Sequence, residues 1–591
     1  MSEVLRRLQT SNLFPIARWL TTYDRSWLRP DILAGLTVWA LLVPEAMAYA
    51  SLAGLPPEAG LYAALPPLVL YAIFVTSRHV AVGPSSAVAV MVAATVAPLA
   101  AGDGERFVVL AAGLALLVGG ILLAAGIARL GFVSEFMARP VLTGFITGLA
   151  LVIALGQADK LFGVHAEGDN FFVELVDLLS KLPEAHLETF LVGGGSLALL
   201  FGLKRYAPKA PAALTTVALS ILAVALFDLD ARGVQITGDV PAGLPPFKIP
   251  DVGIGDLRDL LPGAFAIAMV GYAESIAGMR AFATKHHYDV DPNQELIALG
   301  ISNLGAGLSQ GFAVDVSLSR SAAADEAGGR TQVAGLVNAA LIFITIVALT
   351  PLFHDLPEAA LGAVVISAVA HLIDPEEFKR LFRVRKLDFG LAVLCMAGVL
   401  MVDVLPGLII AVVASLLVLV YRASRPHTAQ LGRVPGQDAY RDVESYPEAE
   451  TIVGLVIFRF DSELFFANAN VFRDSARRLV AASEPPARAL LIDAEAIYDL
   501  DTSAADTLEE LRAELASTGV ELLMARVHGP LRDMLHRSGL EESIGEERIY
   551  ATVRAGVEGY LKRHTRDGRL AKSLMIREAP PGQDKLPQAR V

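Results

Sequence analysis

Long apolar stretches dominate the chain as far as residue 425 and then stop. They recur from near Asp31 to near Tyr421, and many approach the roughly 20 residues that a helix needs to cross a hydrocarbon core of about 30 Å. Pro, Gly or charged residues separate them, and the pattern predicts about fourteen membrane segments, the third short and the tenth barely apolar. The segments lie near 31–50, 57–77, 85–100, 106–128, 140–160, 189–203, 211–228, 261–282, 293–311, 317–326, 332–352, 357–373, 388–403 and 405–422.

After Arg425 short apolar runs alternate with amphipathic ones, which predicts a small, mostly parallel α/β sheet domain. The predicted strands are 452–460, 489–492 and 520–525, and the predicted helices are 468–482, 503–518, 531–538 and 551–562. We therefore expect four regions: a cytoplasmic N-terminal segment at 1–30, a transmembrane domain at 31–425, the α/β domain at 440–565, and a disordered tail at 566–591.

Composition supports a membrane protein and excludes several other classes. Hydrophobic residues make up 54% of the 591-residue chain and the mean hydropathy is +0.52, which is too apolar for a soluble protein. A net charge of −13 argues against nucleic acid as a partner. One cysteine, Cys395, excludes a disulfide framework or a cysteine metal site. We find no nucleotide loop and no catalytic constellation, so we predict neither an enzyme nor a cofactor.

The distribution of Lys and Arg predicts the orientation. Loops after even-numbered segments carry most of the positive residues, which places both termini and the α/β domain in the cytoplasm and the chain in the inner (plasma) membrane. His79, His286 and His287 fall in these loops, where we expect them to be solvated. The basic residues in these loops are Arg78, Arg129, Arg139, Lys204, Arg205, Lys209, Lys285, Arg330, Lys379, Arg380, Arg383, Arg385 and Lys386.

The two halves of the membrane region follow the same plan. The first segment contains Glu45 and the eighth contains Glu274, each a carboxylate deep in an apolar helix. About forty residues after each comes a segment too short or too polar to span alone, beginning near Ser85 and Ser317. Paired broken segments at corresponding positions indicate an inverted repeat of seven plus seven segments with a transport site between the halves.

The breaks have the chemistry of an anion site. Pro84 suits the first turn of a helix, and Ser85 and Ser317 are good cap residues, as are Ser86 and Ser319. Two helix N-termini meeting near mid-membrane would direct unsatisfied N–H groups and partial positive charge at one point. The predicted anion-binding residues are Tyr49, Ser85, Ser86, Ala87, Ser317, Leu318, Ser319 and Arg320.

The charged residues allow more than one interpretation. Arg320 adds a full positive charge to the second half-helix, or it is a structural partner of Glu45 or Glu274. The two glutamates are predicted to couple transport to an ion, because a protonated carboxyl group would offset the charge of an incoming anion. Asp315 is a loop residue, a salt-bridge partner or a cation ligand, and the sequence does not choose between these roles.

These residues resemble the SulP family of anion transporters, the bacterial relatives of solute carrier family 26, over nearly the whole chain. The resemblance implies core and gate domains, elevator-like alternating access and a homodimer, with anion contacts at Glu45, Tyr49, Ser85, Ser319 and Arg320. An acid at Glu45 is associated in bacterial members with proton coupling. The matching stretches are Gly35–Val38, Val43–Ala50, Ala53–Pro57, Gly60–Ala63, Asp291–Leu296, Ser319–Ser321 and Thr331–Gln332.

One departure from the family pattern leaves the substrate and the coupling ion open. Where the family has Gly-Gly-Phe-Pro-Val-Thr-Gly-Ser, this chain has Gln310-Gly311-Phe312-Ala313-Val314-Asp315-Val316-Ser317. Family members that couple bicarbonate to sodium use acids and hydroxyls in these segments, so a sodium site near Glu274 and Asp315 is an alternative. The leading hypothesis is proton-coupled symport of sulfate or a related oxyanion. The alternatives are a sodium-coupled bicarbonate or dicarboxylate transporter, an anion exchanger and an anion channel.

The C-terminal region resembles a STAS domain, as in anti-sigma-factor antagonists. The resemblance rests on 459–469 and 500–504, and Ser503 matches the phosphoserine of those antagonists. A phosphate would be favoured at that helix start, although an ordinary helix N-cap following Asp501 is the preferred interpretation. A sensor that signals through this domain is a further alternative, but no kinase, cyclase or DNA-binding segment accompanies it. Purine and pyrimidine permeases share the architecture but lack a STAS domain.

Overall fold

The computed structural model describes residues 15–132, 139–166, 168, 170–207, 210–402 and 404–564. The predicted disordered tail at 566–591 and the first fourteen residues of the predicted N-terminal segment lie outside the described residues. The chain divides near Ser415 into two compact units, a helical unit and a C-terminal sheet unit.

Fourteen described helices between residues 28 and 424 fall on the fourteen predicted segments. Three more, α1, α7 and α15, have no counterpart among those segments. The helix after Val333 continues through a π-helical turn at Thr345–Leu349 and a 3₁₀ turn at Thr350–Phe353. In chain order the helices are α1 (Ile16–Thr21), α2 (Leu28–Leu52), α3 (Pro57–Phe74), α4 (Ser86–Ala100), α5 (Gly104–Ile127), α6 (Arg139–Phe162), α7 (Phe171–Lys181), α8 (Leu187–Tyr206), α9 (Ala212–Phe227), α10 (Ile254–His286), α11 (Pro292–Leu308), α12 (Leu318–Glu326), α13 (Val333–Ile344), α14 (Glu358–Val369), α15 (Pro375–Val384), α16 (Lys386–Met401) and α17 (Val404–Ser424).

Length and composition separate these helices into two groups. Among the described residues six helical stretches are long and apolar enough to cross a membrane, including α5, α6 and α10. The helices α4 and α12 have only 15 and 9 residues, as expected for the two broken segments. The number of helices that cross the membrane stays a prediction.

The two halves repeat the same order of elements. Each half consists of two helices, a three-residue strand, a short helix and four longer helices. The strands are β1 (Ala81–Gly83) and β2 (Asp315–Ser317). Even the extra helices correspond, because α7 and α15 both follow the fifth membrane helix of their half. The internal repeat therefore extends beyond the apolar pattern from which it was predicted.

The helices pack in two sets. In one set α11 lies against α5 and α3, α10 lies against α5, and α13 lies against α2 and α3; in the other α16 and α14 lie against α6, and α8 lies against α14 and α9. Glycines allow the closest approach. A Cβ at Gly300 would lie 2.7 Å from the backbone nitrogen of Leu123, and one at Gly119 would lie 2.8 Å from the carbonyl oxygen of Gly300. The interpretation of Gly300, Gly305, Gly307 and Gly311 as close-packing positions is confirmed.

The second unit is a six-stranded sheet with helices on both faces. The strand order is β4–β3–β5–β6–β7–β8, with β5 to β8 parallel and β3 and β4 antiparallel at one edge. The strands are β3 (Thr428–Arg433), β4 (Tyr440–Asp442), β5 (Leu455–Phe460), β6 (Ala489–Asp493), β7 (Glu521–Ala525) and β8 (Ile549–Tyr550). The helices are α18 (Ala469–Ala481), α19 (Thr502–Ser517), α20 (Gly529–Arg537), α21 (Leu540–Ile544) and α22 (Val553–His564).

Successive side chains along the parallel strands point to opposite faces of the sheet, so two separate hydrophobic cores form. Phe458 and Ile492 point to the face that is covered by α18, α19 and α20. Ile457 and Leu491, their chain neighbours, point to the face that α22 covers. The predicted strands and helices of this region are all present, but β3 lies before residue 440 and was not predicted, because its residues are mixed polar and apolar.

Candidate anion site

The strands β1 and β2 bring the two half-helices together. They pair antiparallel, with Gly83 opposite Asp315 and Ala81 opposite Ser317. The helix α4 begins at Ser86, three residues after the end of β1, and α12 begins directly after β2, so the two helix N-termini lie at opposite ends of the same three-residue ladder. Antiparallel pairing is the arrangement that two repeats of opposite orientation require.

Each half-helix begins at a serine cap. The Ser85 hydroxyl accepts a hydrogen bond from Val88 N–H (3.4 Å), and the Ser317 hydroxyl accepts one from Arg320 N–H (3.4 Å). Both caps were predicted from the sequence. The remaining N–H groups of each first turn have no partner within their own helix, so both turns direct partial positive charge toward the space beside the strands.

Hydroxyl and amide side chains lock the strands in place. The Ser321 hydroxyl accepts from Ala81 N–H (2.9 Å) and donates to the Ser317 carbonyl (2.6 Å), which joins α12 to both strands. The Asn303 side chain binds both backbone groups of Val314, each at 2.9 Å. These contacts hold the backbone of the site rigid, as a preorganised binding site needs.

The predicted anion contacts differ in how accessible they are. Ser319 and Leu318 are exposed, and Ser85 and Ser317 are half-buried. The hydroxyl oxygens of Ser317 and Ser319 lie 3.1 Å apart. The other four predicted contacts are buried within the helix packing: Ser86, Ala87, Tyr49 and Arg320. The exposed polar edge of the site is therefore formed mainly by serines of both half-helices.

Arg320 pairs with Glu45 across the two halves. Its Nη1 lies 3.2 Å from Glu45 Oε2, and only 1% of the Arg320 side chain is exposed. The Nε and Nη2 atoms have no hydrogen-bond partner among the described residues. A Cβ at Gly83 would lie 3.3 Å from Nη2, so glycine at this position leaves room for the guanidinium group. Of the two predicted partners of Arg320, Glu45 and Glu274, the structure shows Glu45. The Nε and Nη2 atoms of the guanidinium group are not used by this pair.

Two further acids lie beside this pair. Both carboxylate oxygens of Asp315 and the Oε2 atom of Glu274 are buried without a hydrogen-bond partner in the described part of the chain. The two carboxyl groups are close enough to interact electrostatically, and Arg320 also acts on Asp315. Asp315 is 1% exposed, so it is not a solvated loop residue.

The sequence did not identify Lys204 as part of this region. It was assigned to a cytoplasmic loop, but it lies in the last turn of α8, where its ammonium group donates to the carbonyl (3.0 Å) and hydroxyl (2.8 Å) of Ser367. Its charge acts on Glu45. Lysine and arginine commonly follow an apolar membrane segment, and Lys204 stands next to Arg205 at the end of such a segment. The sequence pattern therefore could not show that Lys204 lies near Glu45.

Ser503 lies in the other unit, exposed in the first turn of α19. The cap of this helix is Asp501, whose carboxylate accepts from Ala504 N–H (2.8 Å) and from Phe466 N–H (2.8 Å). The Ser503 hydroxyl is therefore not needed as the cap. A role for Ser503 as a phosphorylation site stays a prediction.

Comparison with known proteins places this geometry in a family. The sulfate permease family matches residues 28–397, which include both half-helices, and the STAS domain family matches residues 446–556. The chain belongs to the sulfate permease (SulP) family. Members of this family are transporters of anions, not enzymes, and they are multi-pass membrane proteins.

Relatives and solved structures agree with this assignment. A probable sulfate transporter of Mycobacterium tuberculosis is 43% identical over 541 residues, which covers 92% of this chain and 97% of that protein. Sulfate transporter 4.1 of Arabidopsis thaliana, a chloroplastic protein, is 34% identical and covers 92% of this chain and 82% of that protein. The murine solute carrier 26 family member A9 anion transporter, in an inward-facing state, is 25% identical with a TM-score of 0.85, covering 95% of this chain and 94% of that one.

The membrane region also has the fold of a second solved protein. The transmembrane domain of a cyanobacterial bicarbonate transporter, BicA, is 20% identical with a TM-score of 0.58 and covers 66% of this chain and 98% of that one. The SulP chain described here is thus a helical anion transporter of this fold with a C-terminal STAS domain.

Proposed function

We propose that this SulP protein is a secondary active transporter that imports sulfate, or a related oxyanion, together with protons. The observation that carries the proposal is the pairing of the two strands that precede the half-helices, beside Arg320, whose Nε and Nη2 atoms have no hydrogen-bond partner among the described residues. Backbone N–H groups and arginine forks are suited to tetrahedral oxyanions. Relatives that are 43% and 34% identical carry the name sulfate transporter.

The charges around the site support a coupled mechanism. The Arg320 guanidinium group acts on the carboxyl groups of Glu45 and Asp315, Asp315 in turn acts on Glu274, and the Lys204 ammonium is a further cation that acts on Glu45. A sulfate dianion would meet excess negative charge if all three acids were ionised. Binding of protons or of a metal cation removes this repulsion, so anion and cation should bind together. A passive pore would gain nothing from these acids.

Glu45 is our candidate for the proton-coupling residue. It is the carboxyl group in direct contact with Arg320, so its protonation would release the guanidinium group to the substrate. We further propose elevator-like movement of the helix set that carries the half-helices, assembly as a homodimer, and residence in the inner membrane with both termini in the cytoplasm. The packing of the helices in two sets and the family membership support these proposals.

Exchange of Glu45 for glutamine tests the coupling. An amide cannot take up a proton, so uptake of labelled sulfate by Glu45→Gln in liposomes should be no faster with an imposed inward proton gradient than without one. The wild-type chain should show uptake that the gradient accelerates. Glu58→Gln, on a half-exposed glutamate at the start of α3, is the matched control and should keep the wild-type response. An unchanged gradient response in Glu45→Gln would remove Glu45 from the coupling role.

A second candidate function is sodium-coupled transport of bicarbonate or a dicarboxylate. Both oxygens of Asp315 and the Oε2 atom of Glu274, which have no hydrogen-bond partner among the described residues, favour it, because carboxylate oxygens are natural ligands of hard cations. The same liposomes, given labelled bicarbonate or dicarboxylate in the outside medium under an inward sodium gradient, distinguish the two functions. Sodium-driven uptake in the absence of a proton gradient would favour the second candidate.

A further inference from the structure

A cluster of polar side chains outside the anion site joins three elements of the helical unit. His79 lies in the loop between α3 and β1, His286 is the last residue of α10, and Asp325 lies near the end of α12. The sequence predicted that His79 and His286 are solvated loop residues. That prediction is wrong for His79, which is half-buried beneath the end of α10 with its ring stacked on that of His286.

Three side chains of types that bind metal ions meet in the cluster. His286 Nε2 lies 2.6 Å from Asp325 Oδ1. The imidazole rings of His79 and His286 stack with their centroids 3.9 Å apart and their planes 7° from parallel. One ligand atom from each of the three residues lies within 4.8 Å of the other two. Because the lone pairs of an imidazole lie in the plane of its ring, rotation of one of the two stacked rings would bring a nitrogen of each toward one ion at a Zn–N distance of about 2.0–2.1 Å.

His79 is held as metal-binding histidines are held. Its Nδ1 lies 3.4 Å from the Tyr288 hydroxyl group, which also contacts the Ser77 hydroxyl group (3.1 Å) and accepts from Arg78 N–H (3.3 Å). A hydrogen bond at one ring nitrogen of a histidine fixes the orientation of the ring and leaves the other nitrogen for the ion.

We propose that His79, His286 and Asp325 form a site for a divalent transition metal ion of the Zn²⁺ class. Two imidazoles and one carboxylate are ligands that such ions favour, and water would complete the coordination. The site is separate from the anion site, and nothing in the sulfate transport mechanism requires it.

Lys285 is the competitor of the ion. Its ammonium group lies 2.5 Å from Asp325 Oδ2, where it satisfies a carboxylate that is only 7% exposed. The lysine side chain itself is 62% exposed, so it can swing into solvent on its flexible stem when an ion arrives. Metal binding therefore exchanges one cation for another at Asp325.

A bound ion would fasten α12 to α10 and to the loop before β1. Asp325 follows Arg320 by little more than one helical turn on α12. The ion would therefore restrain the half-helix that carries the positive charge of the anion site.

Metal titration of the full-length chain, purified in detergent without a polyhistidine tag, tests the proposal. The chain has eleven histidines, so an added tag would mask the site. Zn²⁺ binding is measured by calorimetry, and Co²⁺ reports ligand geometry through its visible absorption. We expect one ion per chain, and a loss of affinity of about tenfold or more in both His79→Ala and His286→Ala, since loss of an outer-shell partner alone typically costs that much.

Two further variants separate a metal site from a simple ion pair. Lys285→Ala should raise the Zn²⁺ affinity, because it removes the competing cation from an exposed position without touching a ligand. His287→Asn, a change at the neighbouring exposed histidine whose φ is +55°, should bind as the wild type does, and asparagine tolerates this left-handed backbone. Equal affinity in wild type, His79→Ala and His286→Ala would overturn the proposal, as would an unchanged or lowered affinity in Lys285→Ala.

Discussion

Replacing Arg320 with alanine should weaken sulfate binding by roughly tenfold to a hundredfold, since a hydrogen bond to a charged group contributes about 1.5–3 kcal/mol. Arg320 is the cation whose Nε and Nη2 atoms lack a partner among the described residues. It also neutralises Glu45, so its loss would leave an uncompensated carboxylate beside the anion. The apparent affinity is measured as the concentration dependence of labelled sulfate uptake into liposomes.

A matched double variant separates binding from folding. Loss of one partner of a buried ion pair typically costs about 3–5 kcal/mol, so Arg320→Ala alone can lose stability. The combination of Glu45→Gln and Arg320→Gln removes both charges of this pair, so neither partner is left as an unpaired buried charge, while Asp315 loses the same neighbouring cation as in the single variant. The double variant should melt at a higher temperature than Arg320→Ala and still transport poorly. Wild-type sulfate affinity in this double variant would show that the pair is purely structural.

Replacing Gly60 with alanine should prevent normal folding. A Cβ at Gly60 would lie 1.8 Å from the carbonyl oxygen of Ala46 and 2.4 Å from its carbonyl carbon, so α3 would have to move away from α2. Overpacking of a core costs about 1–3 kcal/mol when side chains can yield, and here the obstacle is backbone. We expect a loss of stability at or above about 3 kcal/mol. The measurement is thermal unfolding in detergent, followed by size-exclusion chromatography.

Gly120→Ala is the control for this prediction. Gly120 lies in α5, and no atom comes within 4 Å of a Cβ built at this position. Alanine there should be neutral or slightly stabilising, because it favours the helix. If Gly60→Ala unfolds at the same temperature as Gly120→Ala, the close contact between α2 and α3 is not present in the protein.

Much of the fold could be predicted because the bilayer imposes simple rules on the sequence. Helix length and apolar composition located fourteen helices to within a few residues. The half-helices α4 and α12 were recognisable from their serine caps, which are local signals, whereas Pro84 lies before the Ser85 cap and not in the first turn where it was predicted. The STAS strands β5, β6 and β7 were recognisable from their short apolar runs.

The remaining features depend on contacts between distant residues. The pairing of β1 with β2 involves three residues on each side, too few for a periodic pattern. The helices α7 and α15 are amphipathic and lie between apolar segments, so hydropathy does not mark them as spans. The choice of Glu45 over Glu274 as the partner of Arg320 depends on the side-by-side arrangement of the halves. The interaction of Lys204 with Glu45 depends on the same arrangement.

Cysteine protection tests most directly whether the anion binds between the half-helices. Cys395 is the only cysteine and is fully buried, so Cys395→Ala provides a background for single labels. In that background Ser319→Cys places a thiol at the exposed start of α12, and Ser180→Cys places one on α7 as a control. The variants are first checked for retained sulfate uptake and then labelled with a methanethiosulfonate reagent. We predict that sulfate slows labelling of Ser319→Cys in a concentration-dependent way and leaves Ser180→Cys unchanged; equal rates at Ser319→Cys with and without saturating sulfate would contradict an anion site between the half-helices.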